Sequence, residues 1–261
     1  MKKITHLLFI FVLISLFSCG QDSSKTNTPS TTTQSKHYKG KGVEKWIETY
    51  GAEARIYYIQ PEKITGRVLF VFHDLWGFNN DFKKACDQFA NDLDNTIIIG
   101  VDLYDGVSAN TLPKAKELMN LVKKERANQI IGAVTSFAGA TSRIATIGWG
   151  FGGNWSLKVA TMITHQGVGC VMYYGTPPND AVSLSPIKCD ILGIYGKQDE
   201  WNTAQKIQNF EANCQIARKN LTIKTYDAKY GFADPKSENY NANVAQMAHS
   251  EAVQFLRKHL K

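Results

Sequence analysis

The chain has 261 residues, 43% of them hydrophobic, 20% charged and 11% aromatic, enough for one large domain with a sizeable core. Its 20 glycines and 7 prolines are an ordinary share, which excludes collagen-like, coiled-coil and fully disordered chains. The net charge of +7 comes from scattered basic residues, with short pairs only at Lys83-Lys84 and Lys123-Lys124, so a solvated basic surface is expected and nucleic-acid binding is not.

Residues 1–18 read as an address. Lys2 and Lys3 precede an apolar stretch from Leu7 to Phe17, and Ser18-Cys19 supplies a small-residue exit, the order of a secretory signal. The run Leu7–Leu16 is too short to cross about 30 Å of hydrocarbon, so no multi-pass membrane protein is expected. Leu16-Phe17-Ser18-Cys19-Gly20 resembles a bacterial lipoprotein box, although Phe17 is bulkier than the residue usually found there. That resemblance implies acylation of Cys19 and a lipid anchor in the bacterial cell envelope, periplasmic or outer-membrane; a cleaved leader with a coincidental cysteine is the alternative. Gly20 to Lys36 has no aliphatic or aromatic residue and cannot bury enough apolar surface to order itself. Residues 1–18 are thus expected as signal, 19–42 as a flexible polar tether, and 43–261 as the folded domain. Cys86, Cys170, Cys189 and Cys214 remain, and their spacing fits buried thiols as well as two disulfides, with no zinc pattern.

Within the domain, strand-like runs fall at 54–59, 67–73, 96–101, 143–148, 167–174, 190–195 and 221–226. Several are continuously apolar, as in Val68-Leu69-Phe70-Val71-Phe72, the pattern of strands covered on both faces. Helical stripes lie between them: Phe82, Cys86, Phe89, Ala90 and Leu93; Ala115, Leu118, Met119 and Val122; Val244, Ala248, Phe255 and Leu256. A further helix opens near Asn154. The alternation predicts one α/β domain with a mostly parallel sheet covered by helices on both faces, and chemistry at the carboxyl edge of that sheet.

The strand ends carry unusual punctuation: His73-Asp74-Leu75-Trp76-Gly77, Asp102-Leu103-Tyr104-Asp105-Gly106, Gly148-Trp149-Gly150-Phe151-Gly152-Gly153, Gly196-Lys197-Gln198-Asp199 and Gly231-Phe232-Ala233-Asp234-Pro235. In this order, over about residues 43–260, the motifs resemble the dienelactone hydrolase family of the α/β-hydrolase superfamily. The resemblance implies an α/β-hydrolase fold, hydrolysis of carboxylic esters or lactones without metal or cofactor, and a nucleophile–histidine–acid triad. It places the nucleophile at Gly150, the base at Tyr230 and the acid at Asp199. It puts the glutamate that contacts the resting nucleophile at Asp74, and the oxyanion-hole amides at Leu75 and Phe151.

Two of these positions have lost their chemistry. Gly150 has no side-chain heteroatom, and acyl transfer by this route needs an activated nucleophile. A phenol with pKa near 10, as at Tyr230, is a poor base at neutral pH. None of the six histidines (His6, His37, His73, His165, His249, His259) follows the last strand where the base belongs. The sequence therefore predicts a catalytically degenerate hydrolase that binds a small molecule with a carbonyl or carboxylate group, or a weak esterase. The alternative is an active hydrolase in which Asp74 or Asp199 activates water. Plainer roles are open too: Asp199 and Asp74 as turn residues, Tyr230 as filler of the space left at Gly150, and Trp76, Trp149, Trp155 and Trp201 as core rather than pocket. Gly148, Gly150 and Gly153 also spell a dinucleotide-binding G-x-G-x-x-G, but the next strand ends in Tyr173-Tyr174-Gly175 with no acid to hold a ribose.

Overall fold

The structure, a computed structural model, describes residues 38–261, so the expected leader, Cys19 and the tether as far as residue 37 lie outside the described residues. Among the described residues eight strands form one sheet: β1 (Val43–Ile47), β2 (Ala54–Ile59), β3 (Arg67–Phe72), β4 (Thr96–Val101), β5 (Arg143–Trp149), β6 (Gly167–Tyr173), β7 (Asp190–Gly196) and β8 (Leu221–Tyr226). Their spatial order is β1-β2-β4-β3-β5-β6-β7-β8, with β1, β2 and β4 paired antiparallel and every later pair parallel. The chain leaves β3 to one side for β4 and crosses to the other for β5. The carboxyl ends of β3 and β5 therefore flank the point where the strand order reverses, and a crevice opens there.

Side-chain alternation along the central strands feeds two cores. Leu69 and Val71 of β3 point into one, beneath α1 (Asn80–Asp92) and α6 (Ala242–His259). Val68, Phe70 and Phe72 point into the other, beneath α2 (Leu112–Leu121) and α3 (Lys124–Ala138). A third cluster joins α4 (Phe151–Ala160) to α5 (Ala204–Ile216) through Leu157, Cys170 and Phe210. Because β3 is buried on both faces, it shows no polar alternation at all.

Four of the helices start on side-chain caps: Asn79, Thr111, Thr203 and Asn241 each accept a bond from a first-turn amide. On α2 the buried face is Ala115 and Leu118, whereas Met119, expected on that stripe, is exposed. Near the start of the described residues, Tyr38 and Lys41 donate to the Asp87 carboxylate and the Gly42 amide donates to the Tyr57 hydroxyl. The stretch just before β1, expected as tether, is thus hydrogen-bonded to the domain. Cys86, Cys170, Cys189 and Cys214 are all buried free thiols.

Candidate functional site

At the end of β5 the chain turns through Gly150 into α4. Gly150 has φ 50° and ψ −108°, in the positive-φ region that a side chain makes costly, and its amide donates to the Tyr173 carbonyl at 2.9 Å. The bend is tight because α4 starts directly against the neighbouring strand: a Cβ on Gly152 would strike the carbonyls of Phe72 and His73. The glycine spacing that mimics a dinucleotide motif thus has a packing cause, and it lies in the middle of the sheet.

A side chain at position 150 would meet Tyr230. An ideal Cβ built on Gly150 overlaps the Tyr230 hydroxyl, with the ring Cζ 3.5 Å away and Tyr174 Cδ2 at 3.9 Å. The phenol therefore stands where the first side-chain atom of residue 150 would lie. Burial, reinforced by the charges of Asp199, Asp74 and Asp234, pushes its pKa up to about 12. Such a group stays protonated at neutral pH; it can donate a hydrogen bond but cannot take a proton from a nucleophile.

Asp199 follows β7 as expected, and its oxygens are occupied locally. Oδ1 accepts from the amides of Trp201 and Asn202, both at 2.8 Å, and Oδ2 from Asn202 Nδ2 at 3.0 Å. Asn202 Nδ2 also donates to the Tyr174 carbonyl at 3.0 Å, tying this turn to the end of β6. Among the described residues no histidine bonds to Asp199. His249 pairs with Asp92 at 2.7 Å, His259 lies 3.5 Å from Asp190, and His165 contacts Thr164. His73 is fully buried: its Nε2 accepts from the Leu103 amide, which leaves Nδ1–H to donate to the Asp74 carbonyl. Burial lowers its pKa, so the ring is neutral and holds the β3 and β4 ends together.

Leu75 and Phe151 follow the ends of the adjacent strands β3 and β5, and both pack against the core beneath α2 and α3. Phe151 opens α4, whose first amides have no intrahelical acceptors. Asp74 lies on the other side of the turn. Its Oδ1 accepts from the Trp76 amide at 2.8 Å, while Trp76 Nε1 donates to Asp234 Oδ2 at 2.8 Å. One tryptophan thereby holds two carboxyl groups from distant parts of the chain. Burial, then repulsion from Asp234, raises the Asp74 pKa to about 7 against the opposing Trp76 bond and the Lys236 charge.

These two carboxyls line a cavity of about 670 Å³ between α1, the start of α6 and the 233–236 turn, flanked by Phe89, Trp149 and Tyr174. Among the described residues, Gly150, Tyr230, Asp199, Leu75 and Phe151 do not line it. Trp76 and Trp149 do, whereas Trp155 packs into the core and Trp201 is exposed. The open space is therefore displaced from the elbow to the Asp74 side. Asp234 and Tyr174 were not expected as site residues, although the Gly231–Pro235 block did mark the segment that carries Asp234.

Comparison with known proteins settles the family. The model of the dienelactone hydrolase family matches residues 54–260, nearly the whole described domain. The chain belongs to the dienelactone hydrolase family. A relative from Saccharolobus solfataricus, provisionally named a carboxymethylenebutenolidase, is 23% identical over 82% of this chain and 98% of its own length. Protein usf of Aquifex pyrophilus is 24% identical over 82% of this chain and 97% of its own. Among solved structures, a provisionally named dienelactone hydrolase from Klebsiella pneumoniae superposes with TM-score 0.71 at 18% identity, covering 82% of this chain and 97% of that one. A dienelactone hydrolase-like promiscuous phosphotriesterase from metagenomic libraries gives TM-score 0.72 at 14% identity, covering 84% and 99%. These likenesses establish the α/β-hydrolase fold of a dienelactone hydrolase family member. They leave its elbow as the residues make it, a glycine capped by a phenol.

Proposed function

We propose that this dienelactone hydrolase family member binds a small molecule without forming a covalent intermediate at its elbow, and that it is held at the bacterial cell envelope by a lipid on Cys19. The observation that carries the first part is the Tyr230 hydroxyl lying where the first side-chain atom of residue 150 would be. The oxygen at that bend belongs to a phenol whose pKa burial pushes up to about 12, a poor nucleophile at neutral pH, and the four domain thiols are buried, with Cys170, for example, raised to about 11 by desolvation. The expected carbonyl or carboxylate ligand rested on the amides of Leu75 and Phe151; the displaced cavity makes that space the place to look for any ligand.

The test is hydrolysis of p-nitrophenyl acetate by the purified protein. Turnover below about 1 s⁻¹, the low end of ordinary enzymes, is expected. Faster turnover together with a covalent acyl adduct seen by mass spectrometry would overturn the non-covalent reading. A second reading is favoured by one observation, the Asp74 carboxyl poised near 7 in the cavity wall: it could act as general base on water. Under that reading Asp74→Asn abolishes the turnover. The lipid anchor is read by mass spectrometry of the mature N-terminus, and Cys19→Ala should release the protein from membranes.

A further inference from the structure

The cavity beside the elbow has an acidic end and an aromatic flank. At the acidic end sit the carboxyls of Asp74, which accepts from the Trp76 amide, and of Asp234, which accepts from Trp76 Nε1 and the Lys236 amide; each keeps lone pairs to spare. The Tyr174 hydroxyl lies close enough to feel both charges; the residue is only 2% exposed, yet its oxygen has no hydrogen-bond partner. A buried hydroxyl without a partner is uncommon in folded proteins and points to a missing one. Along the flank, Phe89, Trp149 and Tyr173 make a continuous aromatic wall, with ring centroids 6.2 Å and 5.7 Å apart.

Each basic group of the cavity already has a carboxylate partner. Lys84 and Lys236 both pair with Asp81, at 3.0 Å and 3.5 Å, and Lys236 lies over the Trp76 ring. His249 is occupied by Asp92. A ligand carboxylate entering beside Asp74 and Asp234 would meet two like charges, whereas a cation would meet two acceptors and a π face. The volume of about 670 Å³ suits a small organic molecule.

Resting on the non-covalent reading above, we infer that the cavity binds a small arylalkyl ammonium compound. Its ammonium group is seated among Asp74, Asp234 and the Tyr174 hydroxyl, and its apolar body lies along Phe89 and Trp149. An ammonium supplies three donors, one for each of these acceptors. Affinity should rise between about pH 6 and 8 as Asp74 ionises, since only the carboxylate attracts the cation. The charged and titratable groups facing Asp74 are Asp234 and Lys236 from the 233–236 turn, Asp81 from α1, Tyr104 after β4, Tyr174 after β6 and Tyr230. His249 of α6 lies on the same cavity.

The experiment titrates the intact protein with 2-phenylethylamine, 3-phenylpropan-1-ol and 3-phenylpropionate, followed by calorimetry and by the fluorescence of Trp76 and Trp149. The amine should bind at least tenfold more tightly than the alcohol, with the carboxylate weaker still. Asp234→Asn and Tyr174→Phe should each weaken the amine about tenfold and the alcohol by much less, since the alcohol carries no charge. Tyr174→Phe deletes a hydroxyl that has no protein partner, so it keeps the test decisive if Asp234→Asn folds poorly. Carboxylate binding as tight as the amine, amine affinity indifferent to both variants, or no saturation by about 10 mM amine overturns the ammonium assignment. Ester turnover through a covalent adduct overturns the non-covalent reading instead, so the two failures are distinguishable.

Discussion

Adding a single methyl group at position 150 measures how far Tyr230 fills the elbow. Alanine at φ 50° and ψ −108°, a sparsely populated region for a residue with a Cβ, costs about 1–3 kcal/mol of backbone strain. The same Cβ overlaps the Tyr230 hydroxyl, and displacing that buried phenol adds about 1–3 kcal/mol. Gly150→Ala alone should therefore destabilise by about 2–6 kcal/mol. In Tyr230→Phe the overlapping oxygen is gone and the nearest remaining ring atom, Cζ at 3.5 Å, is an ordinary contact. The alanine should then cost only its backbone strain, giving a favourable coupling of about 1–3 kcal/mol in the double-mutant cycle. Urea unfolding of the four proteins, followed by circular dichroism, reads this directly. An alanine penalty that is the same with tyrosine and phenylalanine at 230 would refute the claim that the phenol occupies the space of a side chain at position 150.

Asp74 sets a pH dependence of stability. Its folded pKa of about 7 lies above the ordinary 3.8, so the folded state holds the proton more tightly and loses stability as pH rises from about 4 through 7. Asp74→Asn keeps the acceptor for the Trp76 amide without the charge; it should raise the melting temperature at pH 8, by at most about 4 kcal/mol of stability, with the gain shrinking toward pH 4. A gain that is flat with pH would count against the raised pKa. Asp199→Ala strips the acceptor from two backbone amides and the Asn202 side chain, and should destabilise by about 2–4 kcal/mol in denaturant titrations. A loss under about 0.5 kcal/mol would show that the turn does not depend on it.

The elements best seen in the sequence were those whose burial repeats along the chain. Strands β2, β4 and β8 fall on their expected ranges, and β3, β5, β6 and β7 differ by one residue at the end. The apolar runs of the central strands need no partner to be recognised. The edge strand β1 carries no such apolar run, because it pairs only with β2 and leaves Val43 and Trp46 more than half exposed. Helix α3 starts at Lys124 without a side-chain cap, just after α2 ends, so its boundary has no local signal. The elbow was legible because a strand, a turn of glycines and a helix follow one another within a few residues. Asp234 was not, because its bond to Trp76 spans 158 positions and nothing at either end announces the other.

The sequence alone determined the central strands, their helical covering and the absence of a side chain at Gly150, since each depends on residue type and near neighbours. Only the tertiary structure decided that Tyr230 stands over that glycine, that Asp74 and Asp234 share one tryptophan, and that the open space lies on their side of the elbow. Those contacts join loops from separate strand ends, and their meeting is fixed by how the strands are ordered across the sheet and how α1, α4 and α6 pack on it. A local pattern can name the groups that stand at the sheet edge. Which of them meet, and how close charge comes to charge, is set by the packing of the whole domain.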